Sequence, residues 1–259
     1  MFRHTLILTI LAAVPLWAAP RHTVLAIWSH PDDETSIGCL LAKSAREGND
    51  VWQVAITSGQ RGFTPNTKIT DGAELGRVRE TELRCSAGQL GVHEPILLGY
   101  QDQGISTPPV MREILDRLRE IIDQKKPDVI ITWGPEGLTG HPDHRTTSSL
   151  ATEIFQQRAR LKHQPKKLYY VAFPDSLAET LLKAFNAPLR TTADEFITTR
   201  IDCGEEDLAA AYRSIQCHKT QWSAQLMKSR DQLQRETFGG KVCLRLALGA
   251  GKQGRSLFE

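Results

Sequence analysis

From residue 20 onward the chain alternates two hydrophobic patterns. Four short runs are apolar almost throughout: 24–29, 50–57 (DVWQVAIT), 95–100 and 128–133 (DVIITW). Runs of that length and composition predict strands buried on both faces. Two later runs, KKLYYVAF and KVCLRLAL, predict further strands. Between them lie segments of helical period. Residues 35–47 are stopped by Gly48, and residues 73–90 by Gly91. In 110–125, Val110, Ile114, Leu118, Ile121 and Ile122 share one face while charges fill the other. Helices are also expected over 146–160 and 205–227. Apolar strands alternating with amphipathic helices argue for an α/β fold. The expected form is one Rossmann-like, doubly wound domain over 20–259, its mostly parallel sheet covered on both faces.

The first 19 residues break the pattern. A basic start, Met1-Phe2-Arg3-His4, precedes an apolar run from Leu6 to Trp17 and then Ala18-Ala19. That run is too short to span a bilayer and has the layout of an export signal. Leu16 and Pro20 depart from an ideal cleavage site. The expectation is a signal peptide over 1–19 and an exported protein, periplasmic or extracellular, with no stable membrane span once the signal is removed. Export would permit disulfides among Cys39, Cys85, Cys203, Cys217 and Cys243. The odd number leaves at least one thiol outside any internal pair, and no CxxC spacing suggests a sulfur-bound metal.

Composition changes little. The 259 residues carry a net charge of +2, with 40% hydrophobic and 24% charged residues. This describes an ordinary globular protein and offers no basic field for nucleic acid. No GxGxxG follows the first strand. The turn there, Ser29-His30-Pro31-Asp32-Asp33-Glu34, puts acid where a dinucleotide's pyrophosphate would need bare amides.

That turn carries the candidate chemistry. Three consecutive carboxyls repel one another unless a cation sits among them. A second turn of similar form, His141-Pro142-Asp143-His144, follows the strand ending at Trp133. In doubly wound sheets both turns fall at the carboxyl edge, where ligands bind. Two imidazoles and one carboxylate are the ligand set of an open, catalytic zinc site. A neighbouring carboxylate is then free to take a proton from water. The residues alone do not say whether His141 or His144 is the ligand.

The pair of turns resembles the PIG-L/LmbE-like family of zinc-dependent N-acetylglucosaminyl deacetylases. The resemblance extends through TSGQRG, RVRETEL, LGYQDQG, TWGPEGLTGHPDH and YRSIQCHKTQ. It implies a metal held by His30, Asp33 and His144: one zinc ion, or iron(II) in its place. It also implies Asp32 as general base, a cationic His141 on the acyl oxygen, and Asp143 orienting an imidazole. The substrate would be an N-acetylated sugar or glycoconjugate, yielding acetate and an amine. A zinc amidase acting on a larger amide and a non-catalytic, metal-stabilised glycan-binding protein are the competing readings.

Three further residues are candidates for substrate contact. Arg79 lies on the buried stripe of its helix. It either pairs internally with Glu82 or, as the family's RxxE pattern implies, reaches a sugar hydroxyl. Asp102 sits in a loop after a strand, where a turn-forming role competes. His218 is expected on the late helix, near the site by resemblance. Glu34 reads as a helix cap, His93 and His163 as structural, and Trp28 and Trp133 chiefly as core.

Overall fold

A computed structural model describes residues 21–185, 189–251 and 254–258. The export signal expected over 1–19 lies outside these residues. The seven strands are β1 (Thr23–Trp28), β2 (Asp50–Thr57), β3 (Ile96–Tyr100), β4 (Val129–Trp133), β5 (Lys167–Val171), β6 (Thr199–Asp202) and β7 (Lys241–Gly249). They form one sheet in the order β3-β2-β1-β4-β5-β7-β6. The five strands from β3 to β5 run parallel, and β7 lies antiparallel to both β5 and β6.

The helices are α1 (Gly38–Arg46), α2 (Gly72–Leu90), α3 (Pro108–Lys125), α4 (Pro142–Gln156), α5 (Ala178–Phe185), α6 (Glu205–Ile215) and α7 (Ala224–Gln232). Along β1, Val24, Ala26 and Trp28 join a core with Leu40 of α1 and Leu208 of α6. Leu25 and Ile27 point the other way, into a core with Ile114 of α3 and Leu150 of α4. Residues of alternate parity thus serve two cores, which is why these runs show no polar alternation. The expected α/β doubly wound architecture is what the structure shows.

Several boundaries differ from the sequence expectation. The segment 35–47 opens as a 3-10 turn, Asp33–Ser36, before α1 begins at Gly38. β6 was not anticipated: it has four residues, and only alternate positions are buried. α5 was missed as well, since Leu181 is its one buried residue. The long helix expected over 205–227 is two helices, α6 and α7. The chain between them is pinned from outside. Cys217 forms a disulfide with Cys85 of α2. Thr220 donates its N–H and its hydroxyl to Glu82, at 2.8 and 2.7 Å. His218 therefore lies in a connection and not on a helix.

A bridge closing 132 residues of chain removes much of the unfolded state's freedom. Replacing both Cys85 and Cys217 with serine is expected to cost about 2–4 kcal/mol. Urea unfolding checks this through a lower midpoint and a steeper slope, because the unlinked chain unfolds to a more open ensemble. Cys39, Cys203 and Cys243 are free thiols. Among the described residues no helix is long and apolar enough to cross a membrane.

The direction of winding reverses between β1 and β4, which lie side by side. β1 leads through α1 to β2 on one side, and β4 leads through α4 to β5 on the other. The loops leaving these two strands part around a crevice. They are the loops that carry the two histidine-proline turns.

Candidate active site

The β1 turn is built around Asp33. Its Oδ2 accepts the backbone N–H groups of Ser29 and His30, both at 3.0 Å, and the indole N–H of Trp133 at 3.1 Å. Those three donors fix the carboxylate and leave Oδ1 facing the crevice, 3.2 Å from His144 Nε2. Burial raises the Asp33 pKa, but His144 and His30 outweigh it and hold the carboxyl well below its usual range.

The far nitrogens of the two imidazoles settle their tautomers. His30 Nε2 lies 3.2 Å from Asp102 Oδ1 and 3.4 Å from Asp143 Oδ2. His144 Nδ1 lies 3.1 Å from the carbonyl oxygen of Gly137. Both nitrogens face acceptor oxygens, which favours a hydrogen on each, although His30 Nε2 is not aligned for a hydrogen bond with either carboxylate. In the neutral rings the opposite nitrogens, His30 Nδ1 and His144 Nε2, are then bare lone pairs. They stand 3.2 Å apart, with Asp33 Oδ1 beside them. Three lone pairs aimed at one another repel; a cation among them converts the repulsion into coordination. Ligands held at zinc's ~2.0–2.2 Å in a tetrahedral arrangement stand roughly 3.3 Å from one another. His144 Nε2 stands at that spacing from both His30 Nδ1 and Asp33 Oδ1, while the nearest Asp33 oxygen to His30 Nδ1 is Oδ2 at 3.9 Å, so a cation here would draw His30 and Asp33 closer together. The carboxylates and the carbonyl behind the rings are the supports that metal-binding imidazoles ordinarily have. In the absence of a cation a proton takes its place. Burial lowers the His30 pKa, yet the bonds to Asp102 and Asp143 and the charge of Asp33 push it up to about 10.

His141 is held differently. It caps α4, and its Nδ1 accepts the Asp143 N–H at 3.2 Å. A ligand atom of its ring lies within 4.8 Å of those of His30 and His144. Because Nδ1 accepts, the hydrogen of the neutral ring is on Nε2. Burial and the charges of His30 and His144 push its pKa down. That shift opposes the cationic form the resemblance implies, and Nε2 can donate in either state.

Asp32 adopts φ 98°, in the left-handed region that is costly for any residue but glycine. Its neighbours hold it there. Its N–H donates to Glu34 Oε2 at 3.0 Å, and its carbonyl accepts the Thr35 hydroxyl at 2.6 Å. Arg79 donates to the carbonyl oxygens of Pro31 at 2.5 Å and Gly59 at 2.9 Å, and its Nη2 lies 3.2 Å from Asp32 Oδ1. Gly59, at φ 64°, has no room for a side chain, because a Cβ would overlap this guanidinium. Burial raises the Asp32 pKa against the pull of Arg79, which suits a group that must take up a proton.

Loops of both halves thus meet in one cavity of 380 Å³ that contains Asp32, Asp33, His30, His141 and His144. A family description, PIG-L (GlcNAc-PI de-N-acetylase), matches residues 25–155, which include both turns. The chain belongs to the PIG-L family. It is accordingly an enzyme of the N-deacetylase class, a hydrolase. A 1D-myo-inositol 2-acetamido-2-deoxy-alpha-D-glucopyranoside deacetylase from Thermobifida fusca (strain YX) is 30% identical over 237 residues, 76% of this chain and 82% of that one. Among solved structures, the N,N'-diacetylchitobiose deacetylase of Pyrococcus horikoshii superposes with a TM-score of 0.67 at 22% identity, covering 86% of this chain and 83% of that one. GalB, the 4-carboxy-2-hydroxymuconate hydratase of Pseudomonas putida KT2440, superposes almost as well. Its TM-score is 0.66 at 16% identity, over 89% and 98% of the two chains. At these identities the superpositions speak for the fold alone, and the reaction must be read from the side chains.

In this PIG-L chain several sequence expectations change. Arg79 does not pair with Glu82, which is occupied by Thr220. Its two terminal nitrogens face the Asp32 turn and Gly59, so it braces the base before it can meet a sugar. His218 is fully buried and is not part of the cavity wall. Its Nε2 meets Glu34 Oε1 at 2.6 Å, and Glu34 also accepts from Ser86 at 2.6 Å. Glu34 is therefore a buried anchor beneath Asp32 and more than a helix cap. Asp102 lines the cavity but faces His30 and accepts the Arg61 N–H at 3.0 Å. Trp133, read mainly as core, also belongs to the site. It donates to Asp33, and its ring stacks on His144 at 4.7 Å. Arg79→Lys is expected to cut kcat roughly 10–100-fold with metal content unchanged, because an ammonium cannot hold the Asp32 turn and the Gly59 carbonyl together. Steady-state kinetics paired with metal analysis checks it.

Proposed function

We propose that the protein is an exported zinc enzyme that removes the N-acetyl group from an N-acetylglucosamine-type sugar or glycoconjugate. The observation that carries this reading is the approach of His30 Nδ1 and Asp33 Oδ1 to His144 Nε2, each at 3.2 Å, beside a strained, half-buried Asp32. A divalent cation bound there supplies Lewis acidity, which lowers the pKa of water near 7 and draws charge from the acyl oxygen.

The chain's own residues do the rest. Asp32 takes the proton from the attacking water, worth roughly 10²–10⁴ in rate. His141 donates from Nε2 to the acyl oxygen as negative charge gathers on it; one such donor typically contributes about 3–4 kcal/mol. Asp102 and Asp143 keep the His30 ring turned so that Nδ1 faces inward. Asp32 then returns its proton to the departing nitrogen. The C–N bond breaks, a C–O bond forms, and acetate and a free amine result.

Export is supported by the layout of residues 1–19 and by the Cys85–Cys217 bridge, which suits an oxidising compartment. The sugar-type substrate is supported by the inositol-linked and chitobiose-type compounds named for the similar proteins. Incubation of the zinc-loaded protein with N-acetylglucosamine and its glycosides, followed by an acetate assay, tests the reading. Acetate release at a rate proportional to enzyme supports it. Sugar binding with no acetate would favour a glycan-binding protein instead.

A further inference from the structure

The cavity has two ends of opposite character, and the sheet order explains their placement. Loops after β2 and β3 border one end, and the loops after β5 and before β7 border the other; α6 packs on α1 and α2 and brings Leu208 beside Gly240 at that second end. The metal-ligand candidates, after β1 and β4, lie between. The β2–β3 end is polar: Arg61 and Gln103 line it, in front of Arg79 and Asp102, which are held by the contacts described above. The opposite end is walled by Leu138, Phe173, Leu208, Ala211, Leu233 and Phe238. Three of the polar side chains on that side are already engaged, which leaves the Trp222 indole N–H and the Tyr212 hydroxyl. Arg230 donates to the Thr35 hydroxyl at 2.8 Å and lies over the Trp222 ring at 4.4 Å. Asp231 pairs with Arg235 at 2.9 Å, and Gln234 donates to the Lys241 carbonyl at 2.9 Å. What remains open to a ligand there is mostly hydrocarbon.

An amide whose carbonyl meets the cation extends both ways, with the amine on one side and the acyl chain on the other. Sugar hydroxyls match the polar end. The acyl group then enters the apolar end, and a single methyl leaves most of that end empty. We propose that this site hydrolyses N-acyl amino sugars with acyl chains longer than acetyl, the chain lying between Phe173, Leu208, Ala211 and Phe238. The bond chemistry is that of the deacetylase reading, on which this inference rests: water adds, the C–N bond breaks, and a carboxylate and an amine leave. The cavity alone determines the chain length.

The test compares N-acetyl-, N-butyryl- and N-hexanoylglucosamine as substrates of the zinc-loaded, full-length protein. Each buried methylene is worth roughly 0.8 kcal/mol, about fourfold. We expect kcat/KM for the hexanoyl compound to exceed that for the acetyl compound at least ~10-fold. Phe173→Trp, which adds volume to the apolar wall at a partly buried position, is expected to lower that ratio at least ~5-fold. Acetate release with no gain from acetyl to hexanoyl would overturn the chain-length inference and leave the deacetylase reading intact. If no compound is hydrolysed, the deacetylase reading fails. Calorimetric binding of N-hexanoyl- against N-acetylglucosamine then still decides what the cavity prefers, and equal affinities count against the inference.

Discussion

Asp32→Asn is expected to lower kcat by roughly 10²–10⁴ while the protein still binds one equivalent of zinc. The substitution keeps the side chain's size and an oxygen for Arg79, and removes the charge and the capacity to accept a proton. Asp32 is not one of the three converging donors. Its Oδ1 faces Arg79 at 3.2 Å, whereas the neighbouring Asp33 is held inward by three N–H groups. Adjacent carboxylates thus have separate environments, and burial lifts the pKa of Asp32 while the imidazoles depress that of Asp33. Such divergence is how a site divides ligand from base. Acetate assays alongside metal analysis of the same preparation check the expectation. A variant that loses its zinc would show that Asp32 is a ligand.

His144→Ala is expected to remove both metal and turnover. The variant retains only His30 Nδ1 and Asp33 Oδ1, and two protein donors do not make the three-ligand set of a catalytic zinc centre. Losing the cation removes several kcal/mol of charge stabilisation, roughly 10³-fold or more in rate. His141→Ala separates the two histidines. With Nδ1 engaged by the Asp143 N–H, His141 is not needed for retention. That variant should keep stoichiometric zinc and lose roughly 10²–10³ in kcat. Elemental analysis after dialysis distinguishes the pair, and the reverse pattern would exchange their roles.

Much of this was legible in the sequence because it depends on local pattern. β1, β2 and β4 are buried on both faces, so their residues are apolar without interruption and announce a covered parallel sheet. The two histidine-proline turns announce themselves because chemistry demands those residue types at strand ends. What stayed illegible depends on partners distant in the chain. Glu34 looks like a cap until His218, 184 residues away, closes on it. The choice between His141 and His144 depends on which ring nitrogen meets Gly137 O or the Asp143 N–H, a matter of turn geometry that spacing does not encode. Arg79 was correctly read as inward-facing, but Glu82, one helical turn on, hid its true neighbours, the Asp32 turn and the Gly59 carbonyl. The helix expected over 205–227 failed for a similar reason. Its periodicity runs on, yet the Cys85–Cys217 bridge and the Thr220–Glu82 bonds hold the middle out of helical register.

The central claim is that one divalent ion, held by His30, Asp33 and His144, drives amide hydrolysis. A zinc titration of chelator-stripped protein, followed by acetate release from an N-acetylglucosamine conjugate, tests it most directly. Activity should be absent without metal, rise linearly, and level off at one equivalent of zinc. Full acetate release from metal-free protein, or none at any zinc concentration, would contradict it.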